Sequence, residues 1–441
     1  MVEISFIGAG SMVFAKNLIG DILSYPALEN SSITLMDIDE HRLKQTKQAA
    51  QMMIENGGVE ATVDATTDRQ EALEGSDYVL NMINVGGTES FENEIRIPEQ
   101  YGVKQAIGDT LGPGGIFRGL RTIPTILDIA NDMEKRCPDA LLLNYTNPMA
   151  IICWALEEET NIDYAGLCHS VPHTAEAIAS YVGVDVTDLS YWVAGINHMA
   201  WFLEAEVNGR DVYPDLHNRM NDPDVYKQDT VRFEILRHFG AFVTESSHHM
   251  SEYVPYFRTE PATIEAMTGT NYAERMPNAT YLEGWKERSS ERDRMSFDEV
   301  DLQIERSEEY AARIIHSIET GQPRRLNLNV SNNEGAISNL ANDACVEVPC
   351  LIDDRGVNSC SVGELPPQLA ALDRTNIDVQ RLAVKAALDH DQDALRQAIK
   401  LDPLTAAACT LDEIDAMVSD LLEANAASLP DRLVSGTHSR C

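Results

Sequence analysis

The opening of the chain constrains the fold most. Glu3-Ile4-Ser5-Phe6-Ile7 reads as a short apolar strand that runs straight into Gly8-Ala9-Gly10-Ser11 and a helix-like stretch over 14–23. A strand that turns into a helix this quickly needs a residue free to take positive φ, and one with no side chain to block close approach. Strand-like and helix-like segments then alternate. Strands are expected over 33–36, 78–83, 141–144 and 164–168, and helices over 40–55, 122–135 and near 173–181. Apolar strands alternating with helices predict an α/β fold with a parallel, doubly wound sheet.

The pattern changes near residues 192–198. Beyond it, strands are expected over 325–330 and 345–352, and helices over 297–320, 375–390 and 411–429. The Pro-containing stretch 215–226 reads as a loop, and the very polar stretch 260–298 as a mobile excursion. A chain of 441 residues is long for one simple core. Two closely packed units are expected, over 1–194 and 195–441.

Charge narrows the partners. The net charge is −37, and only nine of the 34 basic residues are Lys. Such a chain repels phosphate backbones and anionic membranes, so neither nucleic acid nor membrane is an expected partner. Scattered acid with few lysines resembles the surface of a halophile's protein, where high salt screens the self-repulsion. No apolar run reaches the roughly 20 residues of a membrane helix. No basic, cleavable leader precedes the first strand, so the expected location is the cytoplasm. Eight Cys without a C-x-x-C pair then read as reduced and mostly buried.

Two places carry chemistry. At the first turn, Gly10 lets the backbone approach a pyrophosphate seated on the helix N-terminus. Val13 occupies the third position of the usual glycine fingerprint, so the match is incomplete. Asp37 strengthens it: a carboxylate at the end of the second strand accepts from an adenosine ribose and disfavours a 2′-phosphate, which points to NAD. The second place pairs Gly166-Leu167-Cys168-His169-Ser170-Val171 with Gly195-Ile196-Asn197-His198-Met199. A thiolate and an imidazole from two loops hold a divalent ion with positions left open for substrate. Spacing alone equally describes a buried Cys and a satisfied His.

These stretches together with Leu35-Met36-Asp37-Ile38-Asp39, Asp109-Thr110-Leu111-Gly112-Pro113-Gly114-Gly115 and Asn144-Tyr145-Thr146-Asn147-Pro148-Met149 resemble glycoside hydrolase family four. Within it the resemblance is to the melibiose-hydrolysing α-galactosidases. It implies a Rossmann-like N-terminal domain and a C-terminal α+β domain similar to that of lactate and malate dehydrogenases. It also implies bound NAD⁺, a divalent metal (usually Mn²⁺), an α-galactoside substrate and a homodimer or homotetramer. The implied route is oxidation at sugar C3, metal-assisted loss of the C2 proton, elimination, and water addition. Carried over by motif, Cys168 and His198 are the metal ligands, and Gly8, Gly10, Ser11, Asp37 and Asn84 face the nucleotide. Asn147 and Asn197 face the sugar. His169 protonates the leaving oxygen, and Asp109 binds hydroxyls, orients the metal or moves a proton. Tyr253 is the expected C2 base, with His249 and Glu252 as rivals. α-Glucosidases, α-glucuronidases and α-galacturonidases are the nearest competing activities. An NAD-dependent hydroxy-acid dehydrogenase and a non-catalytic NAD sensor are competitors of other classes.

Overall fold

A computed structural model describes residues 1–259, 282–284, 286, 287, 302–307 and 309–435. Six parallel strands come first: β1 Glu3–Ile7, β2 Ser32–Met36, β3 Thr62–Thr66, β4 Tyr78–Asn81, β5 Leu141–Asn144 and β6 Tyr164–Gly166. Their order across the sheet is β3-β2-β1-β4-β5-β6, all parallel. That is the dinucleotide-binding arrangement, in which the chain reverses direction of travel between β1 and β4 and opens a crevice at their carboxyl ends. The central strands are apolar because helices cover both faces; all four residues of β4 are buried.

The sheet continues into an antiparallel half. It holds β7 Leu189–Ile196, β8 Met199–Val207, β9 Arg210–Asp211, β10 Phe242–Val243, β11 Arg324–Ser331, β12 Cys345–Asp353 and β13 Gly356–Ser359. β11 joins β6 through the pair Asn329 and Gly166, so the described strands form one sheet. The apolar core is likewise shared, running from Val2 to Leu433. The expected boundary at residue 194 falls inside β7. The change of sheet direction lies before Leu189, because β7 already pairs antiparallel with β8 and β12.

Several expectations are corrected. Residues 215–226 are not one loop: they lie in the short helices Tyr213–Arg219 and Pro223–Tyr226 and the turn over 220–222 that joins them. Their prolines occupy the first helical turn, where a missing N–H costs nothing. Of the single helix expected over 297–320, the described residues are helical over Ala311–Thr320 and irregular over 302–307, while 297–301 and 308 lie outside the described residues. There Ser307 binds Asp21 instead. The stretch 260–298 lies outside the described residues apart from 282–284, 286 and 287. The helix Met149–Glu159 was expected only through its acidic end, Glu157-Glu158-Glu159, as a solvated helix face, without its bounds. Its first eight residues are all buried, so it has no polar face to generate a helical period.

Candidate active site

The first turn is built as the glycines require. Gly8 has φ +91°, and a Cβ there would lie 2.9 Å from the backbone of Met82 and Ile83. Gly10 donates its N–H to Asp37 Oδ2 at 2.7 Å. Thr46 Oγ1 donates to the Ala9 carbonyl at 2.8 Å and pins the turn from the second helix. Helix Met12–Leu23 starts at Ser11 without a side-chain cap, which leaves its first N–H groups facing outward. Gly8, Gly10, Ser11, Asp37 and Asn84 all line one cavity of about 800 Å³. Ile38, 90% exposed beside Asp37, offers an apolar surface at its rim.

Asn147 belongs to the same cavity and leads out of it. Its Nδ2 donates to Asp109 Oδ2 at 3.3 Å, and its carbonyl accepts from Arg118 Nε at 3.1 Å. It does not cap helix Met149–Glu159. Burial raises the Asp109 carboxyl, but Arg118, His249 and the Thr110 hydroxyl outweigh it and hold Asp109 below the ordinary value. Asp109 Oδ1 stands 3.8 Å from His249 Nε2.

Cys168 and His198 meet beyond Asp109. Cys168 follows β6. His198 sits in the two-residue turn joining β7 to β8, with φ +64°. A left-handed non-glycine residue is strained, and such residues concentrate at functional sites. Glu245, φ +71°, is a second one in the same cluster. His198 Nε2 lies 3.1 Å from Cys168 Sγ, and its Nδ1 lies 3.1 Å from Tyr253 Oη. Burial raises the Cys168 thiol, yet the His198 ring and Ser170 reverse this and bring it down to about 7. His198 moves up: burial opposes its charge, and the thiolate outweighs burial.

Glu245 and Glu347 lie in the stretches Phe242-Val243-Thr244-Glu245-Ser246-Ser247 and Val346-Glu347-Val348, which add to the family resemblance without giving either a role, and Glu309 was not singled out. Donor atoms of His198, Glu245 and His249 lie within 4.8 Å of one another. His249 is held well above its ordinary value: burial resists protonation, but Glu245 and Glu252 more than compensate. Cys168 joins this group through the 3.1 Å contact of its Sγ with His198 Nε2. Glu347, also buried, is pushed well up by burial and by the charge of Cys168. Glu309 Oε2 stands 2.7 Å from His169 Nε2. Strand pairing and loop return bring the three to the site, so none of their roles is written in its neighbouring residues.

Glu252 accepts from the N–H of Ala106 at 2.7 Å and from those of Ile107 and Gly108 at 3.3 and 3.4 Å. It thereby anchors the Asp109 loop. Gln105 ties that loop to Gly114, and to the Glu94 carbonyl above the fully buried Arg121–Glu94 ion pair.

Two further observations bear on occupants. Asn197 is 1% exposed, and neither its Nδ2 nor its Oδ1 has a partner. A buried amide left unpaired is costly unless a ligand completes it. The 3.1 Å between Cys168 Sγ and His198 Nε2 is the span of two ligands at right angles on one ion, with bonds of about 2.1–2.3 Å. The residues present fit both a dinucleotide and a divalent cation.

Fold and site together define a dinucleotide-fold protein with a thiolate–imidazole centre beside its crevice. The family profile described as "Family 4 glycosyl hydrolase" matches residues 3–184, and that described as "Family 4 glycosyl hydrolase C-terminal domain" matches 193–405. The chain belongs to family 4 of the glycosyl hydrolases. It is 42% identical to an alpha-galactosidase of Bacillus subtilis (strain 168), covering 98% of this chain and 100% of that protein. It is 40% identical to an alpha-galactosidase of Rhizobium meliloti (strain 1021), covering 97% and 89%. Among solved structures, the 6-phospho-beta glucosidase of Thermotoga maritima, with manganese, NAD⁺ and glucose-6-phosphate, superposes with a TM-score of 0.79. It is 22% identical, covering 97% of this chain and 99% of that one. Malate dehydrogenase of Plasmodium falciparum shares the fold at TM-score 0.53 and 14% identity, covering 88% and 99%. No helix among the described residues is long and apolar enough to cross a membrane.

Proposed function

We propose that the protein is an α-galactosidase that cleaves terminal α-galactosides of the melibiose type, using NAD⁺ and a divalent metal, Mn²⁺ first. The observation that carries this reading is the unpartnered, buried Asn197 amide next to His198, which pairs with Cys168. The two α-galactosidase relatives support the choice of sugar.

When bound, NAD⁺ supplies a reversible hydride acceptor for sugar C3, and the cation supplies Lewis acidity at the C2 and C3 oxygens. The remaining work falls to side chains. Cys168 and His198 hold the cation. Asn197 and Asn147 donate to and accept from ring hydroxyls, and Asp109 steadies Asn147 from behind. His169, with Glu309 on its Nε2, hands a proton to the leaving oxygen. Tyr253 takes the C2 proton. Burial and the charges of Glu252 and Asp109 push its phenol well up in the metal-free protein, and a cation on His198 acts in the opposite direction. Glu252 and His249, the rival bases, are occupied with loop N–H groups and with each other.

The test is a panel of aryl galactosides, glucosides and uronides at molar salt, with and without NAD⁺, Mn²⁺ and a thiol reductant. α-Galactoside hydrolysis that needs all three additions is expected. A C3-deuterated substrate should react more slowly, without net NADH. Equal rates in NAD-stripped protein overturn the reading, and stoichiometric NADH points to a dehydrogenase. Tyr253→Phe should lose C2 deuterium exchange and at least about 100-fold in rate; retained exchange removes Tyr253 from the role. A homodimer or homotetramer, read by light scattering, and a reducing cytoplasmic setting that keeps Cys168 a thiolate complete the proposal.

A further inference from the structure

The acid excess of this chain has a counterpoint. Arg306, Arg313, Arg324 and Arg325 line a single pocket of about 440 Å³. With 71 acidic residues to 34 basic ones, a carboxylate is an arginine's usual neighbour. Among the described residues, none of these four is ion-paired to one. Neutral groups hold three of them instead. Arg306 donates to Ser24 Oγ at 3.0 Å and lies 4.1 Å from the centre of the Tyr25 ring. Arg324 donates to Ser317 Oγ at 2.8 Å. Arg325 donates to the Tyr191 carbonyl at 3.2 Å and lies 5.2 Å from the Trp192 ring. Arg313 spends no side-chain N–H on any described residue.

The two carboxylates of the pocket are committed elsewhere. Asp21 accepts from Ser307 Oγ at 2.5 Å and from its N–H. Glu309 faces His169. The guanidinium groups of Arg306, Arg324 and Arg325 are therefore held by neutral partners with N–H donors to spare, while Arg313 feels the charge of Asp21 without an ion pair to it.

We propose that this pocket is a binding site for a small oxyanion, a phosphate or carboxylate group, separate from the nucleotide cavity. A guanidinium presents paired N–H donors in the spacing that both groups accept. A net charge of −37 repels anions from the surface at large, so only a convergence of several cations captures one. Glu309 borders both this pocket and His169, so a bound anion sits next to the candidate proton donor. The proposal does not depend on the α-galactosidase reading, because binding is measured without turnover.

The test titrates the full chain calorimetrically with inorganic phosphate and, separately, with succinate. NAD⁺ is kept saturating to fill the nucleotide cavity, and ionic strength is held constant. One saturable site is expected, weakened at least tenfold in Arg313→Gln/Arg325→Gln. Arg396→Gln, which removes a guanidinium already paired with Asp415, should leave it unchanged. Should the double variant misfold, Arg325→Gln alone is expected to weaken binding about threefold with unchanged thermal unfolding. Tighter binding of one probe identifies the source, phosphate or carboxylate. Absence of binding by both probes, or equal affinity in wild type and the arginine variants, overturns the proposal.

Discussion

At the scale of single residues, the site is a set of side chains whose charge depends on one another. Cys168 is the clearest case. Other thiols are pushed up by burial, Cys137 to about 11 and Cys350 to about 12, whereas His198 brings Cys168 down to about 7. The sign follows directly: Cys168 is a thiol well below pH 7 and a thiolate above it. Alkylation of the metal-free protein by iodoacetamide should therefore rise through a midpoint near pH 7 at Cys168, read by mass spectrometry. In His198→Ala the midpoint should move up by at least one unit; an unmoved midpoint means that His198 does not set the thiol.

At the scale of elements, short loops do the positioning. The two-residue turn between β7 and β8 delivers His198, and β6 stops two residues before Cys168. Gly8 performs the tightest turn. Gly8→Ala combines positive φ with a backbone clash at 2.9 Å and should cost about 2–4 kcal/mol, with NAD⁺ affinity down more than tenfold by fluorescence titration. Beneath the Asp109 loop, Arg121 and Glu94 are both fully buried and bonded twice, at 2.7 and 2.9 Å. Glu94→Gln leaves a buried guanidinium uncompensated and should cost about 3–5 kcal/mol in denaturant unfolding. A loss under about 1 kcal/mol would show that water or another group replaces the carboxylate.

At the scale of the whole molecule, charge and the shared sheet dominate. Raising KCl from 0.1 M to about 2 M shortens the screening length from about 10 Å to about 2 Å. With a net charge of −37, the melting temperature should then rise by on the order of 10 °C. A flat or falling melting temperature would argue against a salt-adapted surface. Much of the parallel half was legible in sequence, because its central strands are compact apolar runs and its first turn needs glycine, whereas the polar edge strand β3, Thr62–Thr66, was not expected. The antiparallel half was less so. Its β11 and β12 were recognised, but the prolines at 214 and 223 suggested a loop where helices start, and the buried helix Met149–Glu159 gave no period to read.

The sequence by itself determined the nucleotide turn and the strand-end Asp37, since each rests on a local motif whose chemistry depends on residue type, and it singled out Cys168 and His198 through the family resemblance. Tertiary structure decided what surrounds them. Glu245, Glu309 and Glu347 arrive from loops and strands as many as 179 residues from Cys168, and Glu252 proves to be the anchor of the Asp109 loop. The physical reason is range. Backbone conformation and ligand type are written within a few residues, whereas burial and the electrostatic field at a site are sums over every element folded around it.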